Sequence, residues 1–269
     1  SLYSNSQPLF VVDGVIWNTM YDVNSIHDGF FNNVLNNLQA SDIENIAVLK
    51  DGTSMYGSKG SNGVILINTK RASDMVTKIN VNVMTGFTSA PKTMPLMDAA
   101  QYKVYLTEMI GTTGLTNAQI EQLPYLNDNP ARSTYKWYHN NTNWNDQVYQ
   151  TGFTQDYSIN VRGGDEKAKY YFSLGYTGND GVVKKTDFQK YNLRLNADIS
   201  LSDKIDMGLT TGFSRMDRSL TDDGINQISS PTWLSKIKAP ILNPTNYTSL
   251  GDPTTEFTYY DVFGIGNPG

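Results

Sequence analysis

The sequence predicts a mainly β protein in which a small α+β unit is followed by long antiparallel strands. Two patterns predict this fold class. Up to Lys70 and Arg71 the candidate elements are short and mixed, and beyond them apolar and polar residues alternate with a period of two over long segments. Composition fits an extracellular or outer-membrane β protein, because aromatic residues reach 12% and charged residues only 17%.

The α+β unit is predicted from short apolar runs and turn signals. Residues 9–12 are typical of a buried strand that ends at Asp13 and Gly14, and residues 30–38 show patchy helical spacing. Ser41 and Glu44 have the spacing of a capping box, which predicts a very short helix before a strand at 46–49. Residues 53–56 predict one helical turn, ended by Gly57 in the left-handed conformation, before a strand at 64–69.

Five strands of about 10 residues are predicted after Arg71 from the alternation. They cover residues 79–87, 157–161, 170–176, 191–201 and 205–213. Turns are predicted at 163–166, 179–181 and 202–204 from their glycine, aspartate and serine residues.

The alternation alone fits a soluble β-sandwich as well as a membrane β-barrel, because both have one apolar and one polar sheet face. Three features favour the barrel: the strand length, the alternation of short and long connections, and aromatic residues near the strand ends. Those aromatics are Phe87, Phe153, Tyr157, Tyr176, Phe188, Tyr191 and Phe213. No apolar run is long enough to predict a membrane-spanning helix, and no secretion signal is visible.

Composition also excludes several kinds of chemistry. There is no cysteine, and His27 and His139 are the only histidines, which argues against thiol catalysis, zinc fingers and iron–sulfur clusters. The net charge of -5 argues against a nucleic-acid partner. Sites built from carboxylates alone stay open, but the Asp-Gly pairs are better explained as turns than as calcium loops. Hydrolysis of glycosides by paired carboxylates also stays open, because the separation of the carboxylates cannot be read from the sequence.

Two groups of motifs resemble the SusC/RagA-like TonB-dependent transporters of the Bacteroidetes outer membrane. The first group, residues 8–15, 42–52 and 56–70, resembles the second half of the plug domain of that family. The second group, residues 143–149, 163–164, 170–176 and 191–196, resembles its opening barrel strands. The matching motifs run in order with compatible spacing over roughly residues 8–215.

The resemblance implies two regions. Residues 1–72 would be the C-terminal part of the plug domain, and residues 73–269 the first five or so strands of an incomplete transmembrane β-barrel with long outer loops. The family's plug starts well before Ser1 and its barrel resembles those of about 22 strands, so the chain is expected to be a fragment of a larger polypeptide.

The resemblance also implies the function, which needs no catalytic residue, no cofactor and no metal. We expect TonB-dependent import of nutrients, either glycans or oligopeptides, across the bacterial outer membrane, where the protein contacts lipid. A SusD-like surface lipoprotein would act as a lid, and TonB would pull on the plug through the N-terminal region that is not present. The alternative is a soluble or surface-attached β-sandwich that binds a ligand.

Candidate site residues follow from the polar face of the clearest strand and from the aromatics of the last segment. The first set, expected to point into the barrel lumen or to contact the plug across a polar and hydrated interface, is Asn192, Arg194, Asn196 and Asp198. The second set, expected to contact substrate or lid or else to pack within loops, is Trp233, Tyr247, Phe257, Tyr259 and Tyr260. Residues 97–110 predict a helix, with Asp98 in its first turn, that packs in the first outer loop or recognises a partner.

Overall fold

The computed structural model describes residues 7–19, 33–72, 75–221, 229–248, 251–258, 261 and 263–269. The chain divides into two compact units. We call the first, residues 1–87, 153–180 and 187–219, the sheet unit, and the second, residues 88–152, 181–186 and 220–269, the loop unit. The mainly β fold class predicted from the sequence is confirmed.

The N-terminal part of the sheet unit is a four-stranded sheet, here called the small sheet. Its strands are β1 (Leu9–Val12), β2 (Val15–Trp17), β3 (Ile43–Leu49) and β4 (Val64–Thr69). Their order is β2-β1-β4-β3, with β1 parallel to β4 and the other pairs antiparallel. The short helix α1 (Thr53–Tyr56) and three 3-10 turns, Val34–Asn37, Ala40–Asp42 and Gly57–Gly60, connect the strands. Val12, Leu38 and Ile67 form the buried core of this region.

The turn at Asp13 and Gly14 joins β1 to β2 as a two-residue hairpin, and the sequence analysis missed the second strand. Asp13 has φ 49° and Gly14 φ 84°, and Val12 pairs with Val15 across the turn. Positive φ at both central residues is typical of the tight turns that match strand twist, and Asp-Gly is a preferred sequence for them. The dipeptide therefore carried a hairpin signal that was interpreted only as a strand end.

The capping box predicted at Ser41 and Glu44 is wrong. Ser41 lies inside the 3-10 turn, whose N-cap is Gln39, and Glu44 is the second residue of β3. The strand begins at Ile43, which pairs with Thr69, so the hydrogen bonds gained along β4 outweigh the local helical preference. The helical turn at 53–56 and the strand at 64–69 are confirmed, and Gly57 has φ 61°, although its ψ of -148° places it outside the left-handed helical region.

The second part of the sheet unit is a five-stranded sheet, here called the long sheet. Its strands are β5 (Lys78–Thr88), β6 (Gly152–Gly164), β7 (Ala168–Asp180), β8 (Asp187–Ser202) and β9 (Ile205–Ser219). Each strand neighbours the next in sequence, and β6 to β9 pair antiparallel. All five predicted strands are present, but they run for 11 to 16 residues instead of about 10. Backbone pairing continues beyond the aromatic residues near the strand ends into polar residues. The alternation of apolar and polar residues did not predict this extension.

The loop unit contains five helices and a short hairpin among its described residues. These are α2 (Ala99–Gly111), α3 (Asn117–Ile120), α4 (Tyr135–Tyr138), α5 (Trp144–Val148), α6 (Pro231–Ile237), β10 (Thr245–Tyr247) and β11 (Pro253–Phe257). Trp144, Ala239, Ile241 and Leu242 form its core.

The helix predicted at 97–110 is α2, displaced by two residues at its start. Asp98 lies at the N-cap instead of in the first turn, and its carboxylate accepts a hydrogen bond of 2.8 Å from the backbone of Gln101. In the part of the chain that the structure describes, no helix has the length and apolar character needed to cross a membrane.

Candidate functional site

One face of β8 carries a row of buried polar side chains. Lys190, Asn192, Arg194 and Asn196 are 9%, 8%, 8% and 1% exposed, whereas Leu193 between them is 38% exposed. Successive side chains of a strand point to opposite faces, so a single register buries the polar set and exposes the apolar one. The buried polar face of the long sheet lies against the small sheet.

Arg194 lies between two carboxylates of the small-sheet region. Its Nη1 is 3.5 Å from Oδ2 of Asp13, and its Nε is 3.6 Å from Oδ2 of Asp42. Asp13 follows β1 directly and also accepts hydrogen bonds from the backbone and hydroxyl of Thr69, at 2.8 and 2.7 Å. The arrangement places one guanidinium between two carboxylates, and all three side chains are at most 10% accessible.

Asp42 is a buried residue of this interface that the sequence analysis did not select. It is 2% exposed, and its Oδ1 accepts hydrogen bonds from the hydroxyls of Tyr171 (3.0 Å) and Ser173 (2.6 Å) on β7. A buried carboxylate requires such partners, because an unpaired charge away from water is strongly unfavourable. Nothing in the local sequence around Asp42 indicates these partners, which lie about 130 residues away.

The other predicted polar residues of β8 also contact the small-sheet region. Asn196 donates to the Thr69 hydroxyl at 3.0 Å and to the Lys70 carbonyl at 2.8 Å. Asp198 accepts a hydrogen bond of 2.5 Å from Arg71, which also donates to Thr210 on β9. The structure therefore brings the end of β4 and the two residues after it against β8 and β9.

The segment that precedes β3 is held mainly through its backbone. Lys190, which the sequence analysis did not select, donates to the carbonyls of Asn36 and Leu38, each at 3.2 Å. Asn192 donates to the Asn37 carbonyl at 2.7 Å. These carbonyls lie at the C-terminal end of the 3-10 turn Val34–Asn37, where a cation interacts favourably with the helix dipole. Period-two extension of the predicted polar row by one step would have included Lys190.

Gly175 on β7 allows a close approach of the same segment. A Cβ atom at this position would lie 3.3 Å from Cδ of Gln39, which donates a hydrogen bond of 3.1 Å to Asp156 on β6. The absence of a side chain at Gly175 thus lets Gln39 reach the neighbouring strand. Contacts from three strands, β6, β7 and β8, converge on residues 36–42.

A cavity of about 430 Å³ lies beside the Arg194 cluster. Asp13, Asp42, Asn192 and Arg194 are among its lining residues, together with apolar residues that include Val12 and Trp17. A cavity of this size has room for water beside its polar lining residues. Among the described residues, no group of three or more histidine, cysteine, aspartate or glutamate side chains is arranged to hold a metal ion.

The aromatic candidates of the loop unit differ in their surroundings. Trp233 is an exposed residue of α6. Tyr247 packs edge-on against Trp137 with ring centroids 5.5 Å apart, and Phe257 lies under the Lys185 ammonium at 5.5 Å. Tyr259 and Tyr260 lie outside the described residues.

A buried ion pair stabilises the core of the loop unit. The Lys238 ammonium is 2.9 Å from Asp261 and also donates to the carbonyls of Ile265 and Gly266. It lies 5.3 Å from the ring of Trp144, whose indole N–H donates to the Ala239 carbonyl. Trp144 belongs to the family motif at residues 143–149, and its position at the centre of this core was not predicted from the sequence.

A second ion pair of the loop unit is exposed. The Asp128 carboxylate is 2.8 Å from Nε2 of His139 and 3.0 Å from the Lys103 ammonium. The hydrogen bond with His139, and then the one with Lys103, lower the pKa of Asp128 below its ordinary value. His139 also stacks on Tyr135 with ring centroids 3.8 Å apart.

Comparison with known proteins defines the class to which this arrangement belongs. The family model of the TonB-dependent receptor plug domain matches residues 3–64, which include most of the small sheet. Solved structures of the RagAB peptide importer share the fold: its closed-closed state matches with a TM-score of 0.74 and 21% identity over 98% of this chain and 30% of that one. The class is therefore a TonB-dependent receptor plug packed on the polar face of long barrel-type strands.

Curated relatives narrow the class to a family. A TonB-dependent receptor from Formosa agariphila is 30% identical over 81% of this chain, and the TonB-dependent receptor SusC from Bacteroides thetaiotaomicron is 30% identical over 73% of it. The chain belongs to the SusC/RagA-like TonB-dependent transporters, as the motif resemblance predicted. It spans about a fifth of the length of these relatives.

Proposed function

We propose that this chain forms the plug and the first wall strands of an outer-membrane importer that moves nutrients by a TonB-dependent mechanism. Residues 1–72 act as the C-terminal part of the plug, and residues 73–269 supply the first wall strands with their outer loops. A SusD-like lipoprotein covers the outer opening, and TonB pulls on the plug to open a path. The cargo is a glycan or an oligopeptide, and it passes unchanged, because the chain acts by gating and not by catalysis.

The observation that carries this proposal is the apolar outer face of the long sheet. Tyr157, Tyr176 and Tyr191 form a row across β6, β7 and β8, with adjacent ring centroids 6.2 and 5.0 Å apart. Beneath this row the exposed face is almost entirely apolar down to the turn between β8 and β9. Its exposed members include Val81, Val83, Ile159, Leu174, Leu193, Leu201, Ile205, Met207, Leu209 and Phe213.

The height of this apolar band matches a membrane. From Tyr191 to Leu201 a strand rises by roughly 33 Å at about 3.3 Å per residue, and a tilt of about 40° reduces this to about 25 Å, the usual apolar height of an outer-membrane barrel. Charged residues lie at both ends of the band. At one end Arg215, which pairs with Tyr191 across β8 and β9, binds Asp217 at 3.0 Å. At the other end Asp203 and Lys204 form the turn between β8 and β9. One of the seven aromatics expected at the membrane boundary departs from this pattern, because Phe188 lies on the same face as Lys190, with the Arg218 guanidinium over its ring.

The polar residues of β8 fit the lumen side of such a wall. Asn192, Arg194, Asn196 and Asp198 supply the interface that holds the plug in its closed position. Trp233, Tyr247, Phe257, Tyr259 and Tyr260 belong to the outer loops, where aromatic side chains suit contacts with cargo or lid.

The test is a pair of substitutions on the outer face, made in the full chain and followed by membrane fractionation. Leu195→Arg places a charge about midway down the band, where it is expected to destabilise the inserted state by about 2–4 kcal/mol, whereas Leu201→Arg at the edge is expected to cost about 0–1 kcal/mol. The measurement is the fraction of chain resistant to urea extraction from membranes. Release of the unmodified chain into the soluble fraction without detergent would instead support the β-sandwich binding module.

A further inference from the structure

The loop unit contains a large cleft, which is lined in part by the helix predicted at 97–110 but by none of the aromatic candidates Trp233, Tyr247 and Phe257. Its volume is about 940 Å³, and it lies between residues 92–98, helix α2, residues 141–145 and the segment from Lys236 to Pro240. This volume lies near the upper end of the range for small-molecule sites and accommodates several residues of an extended chain.

Hydrogen bonds between its walls form the cleft in advance of any ligand. The Asn141 side chain accepts from the backbone of Ala99 at the start of α2. Asn145 donates to Thr93 and accepts from Ser235 on α6, so one side chain joins two other walls. A site whose walls are already fixed loses little conformational entropy on binding.

Most of the exposed apolar lining is made of flexible and aliphatic side chains, with Tyr105 as the exposed aromatic among them. Met94, Leu96, Met97 and Ile237 line the cleft and are all exposed. Methionine adapts its shape to different apolar groups, which suits a variable ligand. These four side chains offer sugar hydroxyls no hydrogen-bond partner, so this wall favours apolar side chains over sugar hydroxyls.

The charged lining is mainly cationic. Lys92 and Lys236 line the cleft, and neither has an ion-pair partner among the described residues. Asp98 is the one carboxylate among the described lining residues, and the cap of α2 already engages it. Tyr102 adds a phenol whose pKa is raised by burial and, to a smaller extent, by the charge of Asp261, so the phenol stays protonated and can donate a hydrogen bond.

We propose that this cleft binds an extended oligopeptide that carries apolar side chains and at least one carboxylate. Apolar side chains pack on the methionine-rich wall, and the carboxylate binds Lys92 or Lys236. This inference rests on the proposed import function, and it selects peptides over glycans as the cargo that the loop unit recognises.

The experiment measures binding of a defined peptide to the full chain in detergent. The probe is the fluorescein-labelled pentapeptide Leu-Glu-Leu-Glu-Leu, followed by fluorescence anisotropy, with empty micelles as the blank. We expect saturable binding, and we expect Lys92→Gln and Lys236→Gln each to weaken it by about threefold to tenfold, as loss of one charge-assisted contact does. Lys204→Gln, which removes the same charge from a turn in the sheet unit, is the matched control and should leave binding unchanged.

Two further probes separate the outcomes. An unlabelled peptide in which both glutamates are replaced with lysine and the C-terminus is amidated carries no carboxylate and should not compete with the probe, and unlabelled maltoheptaose should not compete either. No saturable binding of the acidic peptide, equal binding by Lys92→Gln, Lys236→Gln and the Lys204→Gln control, or efficient competition by the carboxylate-free peptide or by maltoheptaose would each overturn the proposal. Membrane fractionation of the same chain reports on the import proposal separately, because a membrane-embedded chain that binds no peptide contradicts only the cleft assignment.

Discussion

Replacing Arg194 with methionine should loosen the plug, because it leaves two carboxylates without their cation. The Arg194 side chain is 10% accessible, and those of Asp13 and Asp42 are 10% and 2% accessible. At separations of 3.5 and 3.6 Å, each carboxylate attracts the guanidinium with a gross energy of about 5 kcal/mol at an effective dielectric constant of about 20.

The net effect is smaller than this attraction, since burying the charges costs a comparable amount. Removing one member of a buried pair typically destabilises a protein by about 3–5 kcal/mol. We expect the lower end, about 3 kcal/mol, because Asp42 keeps its hydrogen bonds from Tyr171 and Ser173, and Asp13 keeps those from Thr69. An effect of this size raises the population of the open plug by roughly 100-fold.

The absence of cysteine from the sequence makes a labelling assay straightforward. Val12 is 3% exposed and lies in the plug core, so a single Val12→Cys change introduces a thiol that reacts with maleimide only when the plug opens. Labelling rates across a urea series then give the free energy of opening in the parent and in Arg194→Met. Arg215→Met is the matched control, because Arg215 is 68% accessible and its ion pair with Asp217 should contribute less than about 1 kcal/mol.

A double-mutant cycle separates the charge effect from general damage. Asp42→Asn should cost about 1–2 kcal/mol less in the Arg194→Met background than in the parent, because the partner charge is already gone. If the two changes are fully additive, or if Arg194→Met opens the plug no more than Arg215→Met does, the ionic explanation is refuted.

Two further predictions concern the loop unit. Lys238→Met should lower the resistance of the loop unit to proteolysis by an amount equivalent to about 3–5 kcal/mol, because the change leaves the buried Asp261 carboxylate without its cation. Lys103→Met, which alters an exposed ion pair, is the control, and digestion of Lys238→Met no faster than that of Lys103→Met would contradict this prediction. The pKa of Asp128 is lowered in the folded state, so the carboxylate's contribution to stability is complete above its ordinary pKa, near pH 4, and is lost as the pH falls through the folded pKa. Urea titrations at about pH 5 and about pH 3 should therefore show a loss of stability of at most about 1 kcal/mol, because the group is so exposed. Asp128→Asn should remove this loss.

The long strands were predictable because their signal is local. Alternation between Tyr191 and Leu201 sets both the strand and the face that each side chain occupies. The partners of that face were not predictable from one sequence, since Arg194 meets Asp13 across a separation of 181 residues. Sheet pairing also overrode local preference at Ser41 and Glu44, where the capping-box spacing indicated a helix.

The aromatic candidates illustrate a different limit. Aromatic residues in a polar loop predict either a binding surface or local packing, and the sequence does not distinguish them. Tyr247 packs on Trp137 in the structure, whereas Trp233 stays exposed. Trp144 can lie in the core of the loop unit because its indole N–H donates a hydrogen bond to the Ala239 carbonyl, a partner 95 residues away in the sequence.

The contacts between β8 and the plug combine two kinds of interaction with different consequences. Lys190 and Asn192 bind backbone carbonyls, so they hold the chain path whatever side chains the plug carries there. Arg194 binds the side chains of Asp13 and Asp42, so this charged contact, like the one between Asp198 and Arg71, depends on residue identity. Its separations of 3.5 and 3.6 Å are longer than those of strong ion pairs.

The atoms of this interface also permit exchange with water. Arg194 Nε and Asn192 Oδ1 have no hydrogen-bond partner among the described residues, and both residues line the cavity of about 430 Å³, which gives water room to reach them. Exchanging a protein hydrogen bond for one to water changes the free energy by only about 0.5–1.5 kcal/mol. An interface made of many such bonds resists thermal opening, because all must break together, yet a directed pull breaks them one after another at low cost. These contacts therefore suit the proposed import function, in which the plug closes the barrel and is displaced by a pull.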